Sequence, residues 1–247
     1  MTKYKVISAD SHVIEPPNLW VDYIEPAFKS RAPHTEREGE HDVFKCDGGI
    51  TLIQPGAVSG AGKPSEQLKN FGSYDRDVPP GSYDPKARVK EIAVDGVEAE
   101  VLYPSIALRM FQIQDMPYQV ACFKAYNSWL ADFCKTDPNR FKGIGVVPID
   151  DIEAAVGEIH RCRKIGLSGV SISVNPVDEE GYDNPRFEPL WRAAQDQGMP
   201  VSLHILTERR STLKPGMDFI VQQVLDPGAI QAAFTRMIFA GVFDKFP

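Results

Sequence analysis

Short apolar runs recur along the chain, separated by longer stretches in which apolar positions return every three or four residues. The runs Tyr4–Ala9, Ala99–Tyr103, Gly143–Pro148, Gly169–Val174 and Pro200–Ile205 are rich in Val, Ile or Leu. Runs of this kind are what strands buried on both faces of a parallel sheet require. Helical patterns fall between them. Asp84-Pro85 pairs an N-cap with proline at the first helical position and predicts a helix running toward Val94. A second helix is expected over Pro117–Lys135, with Val120, Phe123, Asn127, Leu130 and Cys134 near one face. Asp150 or Asp151 caps a third, whose stripe is Ile152, Ala155, Val156 and Ile159 and whose end is Gly166. A fourth runs from Pro185 to Gln197 and stops at Gly198, and a fifth covers Ala229–Phe243.

Strand, helix, strand, helix means βαβ crossovers and a parallel sheet. Residues 27–82 break the rhythm, being rich in Gly, Pro and charge. Within them Lys45–Pro55 holds Asp47-Gly48-Gly49 between β-prone residues, a hairpin signal. The segment reads as an insertion after the first strand, inside one domain spanning residues 1–247. A (β/α)8 TIM barrel takes about 250 residues, so the remainder holds only about five βα units. Five parallel strands with two open edges are not a natural end point. Two architectures stay open: a C-terminally incomplete (β/α)8 barrel, or an open α/β sheet.

Charge narrows the partners. Lys and Arg number 27 against 34 Asp and Glu, a net charge of −7. That disfavours a nucleic-acid or anionic-membrane partner, since both select a basic face. No stretch approaches the ~20 apolar residues of a membrane span. The opening MTKYKVISAD carries no long apolar run, so no signal peptide is expected. The four cysteines, Cys46, Cys122, Cys134 and Cys162, form no C-x-x-C pair, which points to a reducing cytoplasm.

The chemistry-bearing residues gather at strand ends. The first strand closes on Ser8-Ala9-Asp10-Ser11-His12. Residues two apart on a strand share a side, so Asp10 and His12 converge. Alone, this D-x-H also describes a salt bridge or a strand-end cap. His204 closes the fifth strand, where a lone histidine also reads as a satisfied core residue. Together, a carboxylate and two imidazoles at the C-terminal ends of parallel strands suit a divalent metal of the Zn or Mn type. Trp20, Arg109 and Phe111 on the loops after the first two strands, and Asn175 past the fourth, read as pocket residues or as plain packing. Glu15 reads as a hydrogen-bonding residue near the site or, the favoured reading, as a cap on the next turn. His34 and His41 read as solvated, and His160 as helix surface. Gly60-Ala61-Gly62-Lys63-Pro64-Ser65 hints at a phosphate loop but fails, because Ala57 replaces the first glycine and Pro64 follows the lysine.

SADSHVIEPPNLW, LYPS, GIGVVPIDD, MPVSLHI and FAGVFDKFP resemble the amidohydrolase superfamily. The nearest branch is the aminocarboxymuconate-semialdehyde decarboxylase group, also called amidohydrolase-2. The resemblance implies a (β/α)8 barrel with a metal at its mouth. Asp10 and His12 match the family's first-strand pair, usually H-x-H, and His204 matches its fifth-strand histidine. Binuclear relatives place a modified lysine at the end of the fourth strand. Val170–Pro176 has none, so one ion is implied. Asp10 in place of the first histidine adds negative charge and a harder donor, shifting the expectation toward Mn²⁺, with Zn²⁺ still ahead. The family's sixth strand carries a histidine or other polar residue, and its eighth an Asp that ligates metal and moves protons. On this reading the catalytic residues lie beyond Pro247. The implied activity is non-oxidative decarboxylation of an aromatic or unsaturated carboxylic acid, a small-molecule substrate. The rivals are hydrolysis of an amide, ester or lactone by metal-activated water, and a non-catalytic truncated barrel fragment. A homodimer is a family-level expectation.

Overall fold

The computed structural model describes residues 5–48, 50, 54–60, 62–69, 71–176, 180–208 and 217–247. In chain order the regular elements are β1 (Val6–His12), α1 (Leu19–Tyr23), β2 (His34–Glu38), β3 (His41–Lys45), α2 (Pro55–Val58) and α3 (Pro85–Val94). There follow β4 (Val97–Tyr103), α4 (Met116–Cys134), β5 (Phe141–Val146), α5 (Ile152–Ile165), β6 (Gly169–Ile172) and α6 (Glu188–Gln197). The last are β7 (Val201–Leu203), α7 (Met217–Phe239) and α8 (Val242–Lys245). Five strands form one sheet in the order β1-β4-β5-β6-β7, and every neighbouring pair is parallel. All five expected strands are present, with boundaries shifted by a few residues. The first runs on to His12 rather than stopping at Ala9.

Capping chemistry sets the helix starts. Asp84, Asp115 and Asp151 each accept a backbone N–H of the first turn of α3, α4 and α5. Gly166 and Gly198 end α5 and α6 in the left-handed region, at φ +97° and +58°. α4 is the central packing element, burying Tyr118, Phe123, Tyr126 and Leu130. Glycines on β5 let the helices close on the sheet. A Cβ on Gly143 would come within 2.9 Å of Cys134 Sγ, and one on Gly145 within 2.8 Å of Cys162 Sγ. Asn127 of α4 ties this layer together: its amide donates to the Val146 carbonyl and to Glu158, and its carbonyl accepts the Val146 amide.

A hairpin lies between β1 and β4: β2–β3, antiparallel over His34–Lys45. Its two-residue loop opens on Gly39 at φ +61°, a backbone that glycine adopts freely. The hairpin expected at Asp47-Gly48-Gly49 falls largely outside the described residues. The last long helix begins at Met217, not Ala229, and contains Pro227. Proline removes one backbone hydrogen bond, and the helix nonetheless continues through it and the following Gly228. No helix among the described residues is long and apolar enough to cross a membrane.

The sheet is curled. A flat sheet would hold its first and fifth strands about 19 Å apart, at ~4.8 Å per step. Here His12, at the end of β1, and His204, just past β7, bring their Nε2 atoms to 3.3 Å. Tyr103 of β4 reaches across the hollow, with its hydroxyl 2.9 Å from Ser202 Oγ on β7.

Candidate metal centre

Local strand geometry aims the donors. Between Ser8 and Ser11 the register of β1 slips, with Ser8 opposite Glu100 and Ser11 opposite Leu102. One extra residue is thus accommodated in β1, a bulge of the kind that re-aims side chains beside functional sites. Ser11 Oγ donates to Ser8 Oγ across it at 2.7 Å. The result brings Asp10, His12 and His204 together. Asp10 Oδ1 lies 3.5 Å from His12 Nε2 and 3.6 Å from His204 Nε2.

Hydrogen bonds on the far side of each ring assign the imidazole protons. His12 Nδ1 lies 2.7 Å from the Pro104 carbonyl, and His204 Nδ1 2.7 Å from the Ile205 carbonyl. A carbonyl only accepts, so each Nδ1 carries the proton and each Nε2 presents a lone pair. Two lone pairs 3.3 Å apart beside a carboxylate oxygen repel one another unless a cation or proton lies between them. Burial is the main cause holding His12 below the ordinary histidine pKa, with His204 and Arg88 adding to it and the Pro104 carbonyl and Asp10 opposing it. A tetrahedral ion with bonds of about 2.0–2.2 Å sets its donors about 3.4 Å apart. The three observed separations bracket that value, and the residues fit a divalent ion.

The backbone behind the cluster is tied as well. Arg88 of α3 donates from Nη1 to the His12 carbonyl at 3.0 Å while pairing with Glu100 through two contacts of 2.8 Å. Thr207, fully buried, donates its hydroxyl to the His204 carbonyl and accepts the Val174 amide. Leu206 sits at φ +67°, the sole non-glycine at positive φ among the described residues. Such a backbone costs about 1–3 kcal/mol and persists only where its surroundings over-determine it. Here the Leu206 amide donates to Glu208 Oε1 at 3.1 Å.

The donors border a cavity of about 490 Å³, lined also by Val58, Ser105, Leu108, Leu203, Leu206 and Ile230. The four residues expected to line a pocket lie elsewhere. Trp20 is buried, donating from Nε1 to the Cys122 carbonyl and meeting Phe44 edge-on. Phe111 is buried against Phe123. Arg109 stands behind the wall, 3.7 Å from Glu208. Asn175 is exposed, and its carbonyl accepts from Ser173. The lining residues that sequence reasoning missed are mostly aliphatic and carry no chemical signal. Only their position past a strand end, as for Ser105 and Leu108, offered one.

Glu15 differs from expectation in a telling way. It caps backbone amides, but those of Ser105, Ile106 and Ala107, not of the next turn. It is fully buried, and burial pushes its carboxyl up to about 7 while the amides pull the other way. His34 bonds to Ala32 and Glu36, His41 lies against Phe71, and His160 is exposed, all away from the Asp10–His12–His204 cluster. Lys63 turns to the Asp77 carbonyl rather than to a phosphate-binding loop.

A curled, all-parallel five-stranded α/β sheet whose edge strands share a three-donor cluster has the architecture of a partial (β/α) barrel. The chain is a member of the amidohydrolase family, whose model matches residues 54–247. That stretch includes His204 but not Asp10 or His12, which rest on the geometry above. It is 28% identical over 183 residues to the 2-amino-3-carboxymuconate-6-semialdehyde decarboxylase of Dictyostelium discoideum, covering 71% of this chain and 48% of that protein. The chain thus spans about half the length of that curated relative. An amidohydrolase from Mycobacterium avium subsp. paratuberculosis superposes with a TM-score of 0.72 at 20% identity, over 100% of this chain and 72% of that one. The 5-carboxyvanillate decarboxylase of Novosphingobium aromaticivorans, solved with manganese and 4-hydroxy-3-methoxy-5-nitrobenzoic acid, gives 0.63 at 22% identity, over 99% and 63%. These two likenesses establish the fold.

Proposed function

We infer that this chain belongs to a metal-dependent, non-oxidative decarboxylase of an aromatic or unsaturated carboxylic acid. The observation that carries the metal reading is the pair of bare Nε2 atoms facing each other 3.3 Å apart beside Asp10. The choice of decarboxylation is supported by the named activities of the relatives. Residues 1–247 act as one barrel unit, and the 27–82 segment is an insertion whose α2 supplies Val58 to the cavity wall.

Asp10, His12 and His204 hold a single divalent ion, Zn²⁺ ahead of Mn²⁺, because their separations suit a tetrahedral ion of zinc size. When bound, the ion supplies a positive centre for a substrate carboxylate or an adjacent hydroxyl. The chain's own residues do the rest. Leu108, Leu203, Leu206 and Ile230 give an apolar wall that takes an unsaturated ring and excludes water, while the Ser105 hydroxyl offers one polar contact. The cavity of about 490 Å³ falls in the range of small-molecule sites. Decarboxylation replaces the carbon–carboxylate bond with a C–H bond, so the reacting carbon must receive a proton as CO₂ is lost. Among the described lining residues only the three ligands are ionisable, so that proton donor is assigned outside this lining.

The test is CO₂ release from a panel of hydroxybenzoates and unsaturated acids, with Zn²⁺ or Mn²⁺ supplied, beside a lactone and amide panel. CO₂ release that disappears in Asp10→Asn and His204→Ala is the expected result. Hydrolysis of a lactone or amide, with no CO₂ from any acid, refutes it.

A further inference from the structure

We propose that Glu15 is a positioning residue that fixes the tautomer and aim of His12 from three residues away. The proposal rests on the metal reading above and deepens it. Five consecutive residues after the middle of β4 are gripped by the short stretch that follows Asp10. The Tyr103 carbonyl accepts the Val13 amide at 3.0 Å, and the Pro104 carbonyl accepts His12 Nδ1–H at 2.7 Å. The amides of Ser105, Ile106 and Ala107 donate to the Glu15 carboxylate at 3.3, 2.9 and 2.9 Å. His12 and Glu15 thus hold adjoining peptides of one turn. The Glu15 carboxylate sets where that turn lies, the turn places the Pro104 carbonyl, and the carbonyl keeps the proton on Nδ1. Nε2 is left bare and aimed at Asp10 and His204.

Stability alone does not account for this carboxylate. Glu15 is 0% exposed and meets no cationic side chain among the described residues. Burying such a group costs more than an apolar side chain would, even with amides around it. It offers what an apolar residue cannot, a two-oxygen acceptor that collects three successive N–H groups and orders a loop. The same turn carries Ser105 and Leu108 into the cavity wall, so one anchor sets both a ligand and part of the lining. Tyr74 holds the anchor in turn, donating its hydroxyl to the Glu15 backbone carbonyl at 2.5 Å.

The experiment compares Glu15→Gln with wild type by two readouts. Glutamine keeps one oxygen and sets an NH₂ against at least one of the three amides. The first readout is binding of Zn²⁺ or Mn²⁺ alone by calorimetry, where about 10–100-fold weaker affinity is expected for a lost supporting contact. The second is the ¹⁵N spectrum of the metal-free imidazoles, where His12 loses its pure Nδ1–H form and His204 keeps its own. Glu158→Gln, in the buried Asn127–Arg161 network, is the control for a purely structural loss. It lowers the melting temperature with metal affinity and tautomers unchanged. If Glu15→Gln does not fold, Tyr74→Phe removes one hydroxyl from the same anchor, with about 3-fold weaker binding expected. A folded variant with the His12 tautomer and metal affinity of wild type overturns the proposal, whatever its melting temperature. Failure of wild type to bind either ion sinks the metal reading instead, and the metal-free tautomer still tests Glu15.

Discussion

Replacing Arg88 by Met will destabilise the protein by about 3–5 kcal/mol, the usual cost of stranding one partner of a buried pair. The side chains of Arg88 and Glu100 are only 12% and 6% exposed. Their two contacts are both 2.8 Å, a bidentate fork in which each carboxylate oxygen takes one guanidinium N–H. Glu100 has no other side-chain hydrogen bond among the described residues, so the substitution leaves a carboxylate facing apolar surroundings. It also removes the donor to the His12 carbonyl. The attraction at an effective dielectric of ~20 is about 4 kcal/mol, of the same size as the expected loss. Replacing both partners, Arg88→Met with Glu100→Leu, removes the stranded charge and should restore all but about 1 kcal/mol. For a chain of this length 1 kcal/mol is about 2–4 °C in Tm, so the single variant melts about 10 °C lower and the double close to wild type. Urea and thermal unfolding of the four proteins in the cycle measure both quantities. A single-variant cost below about 1 kcal/mol, or a double-variant cost equal to the sum of the singles, refutes the reasoning.

Three further outcomes follow from the site. Asp10→Asn removes the only anionic donor of the cluster and should weaken Zn²⁺ binding on the order of 100-fold; calorimetric affinity within threefold of wild type would exclude Asp10 as a ligand. Metal added at a hundred times its Kd should stabilise the fold by about 2.7 kcal/mol, reversed by chelator, and an unchanged Tm would show that the folded chain does not bind it. Glu15 links stability to pH: its carboxyl is raised from 4.5 to about 7, so the folded state keeps the proton longer. That contribution is full below pH 4.5 and is lost as the pH rises through about 7. Glu15→Gln cannot titrate there, so its stability relative to wild type should rise by about 3 kcal/mol across the window; urea curves showing a flat difference refute the assignment.

The strand–helix alternation was legible because buried parallel strands leave unbroken apolar runs and Asp-capped helices leave local marks. The members of the donor cluster were legible for a related reason, since Asp10, His12 and His204 are chemically distinctive residues at strand ends. What aims them was not. The bulge in β1 and the curl that carries β7 round to β1 are relations between strands, and no residue of Ser8–His12 announces them. The β2–β3 hairpin left little sequence signal because His34–Glu38 and His41–Lys45 are mostly polar, without the alternation that marks a strand. They pair through a glycine-opened turn and a cross-strand contact of 3.1 Å between Arg37 and Asp42. Trp20 and Phe111 attracted attention as aromatics near the barrel mouth, yet each is worth more as buried area than as a lining.

Glu15 shows the deeper limit. Its position three residues after His12 was visible, and its capping habit was read correctly in kind. Its partners, however, are peptide N–H groups some ninety residues away, in a turn whose side chains are Ser, Ile and Ala. Backbone donors are present at every residue but proline, so they leave no trace in composition or spacing. The same holds for the Pro104 carbonyl that sets His12 and the Ile205 carbonyl that sets His204. A donor cluster of this kind announces its members in side chains but assigns their protons through the main chain. The second half of that arrangement becomes visible only when the fold brings the two loops together.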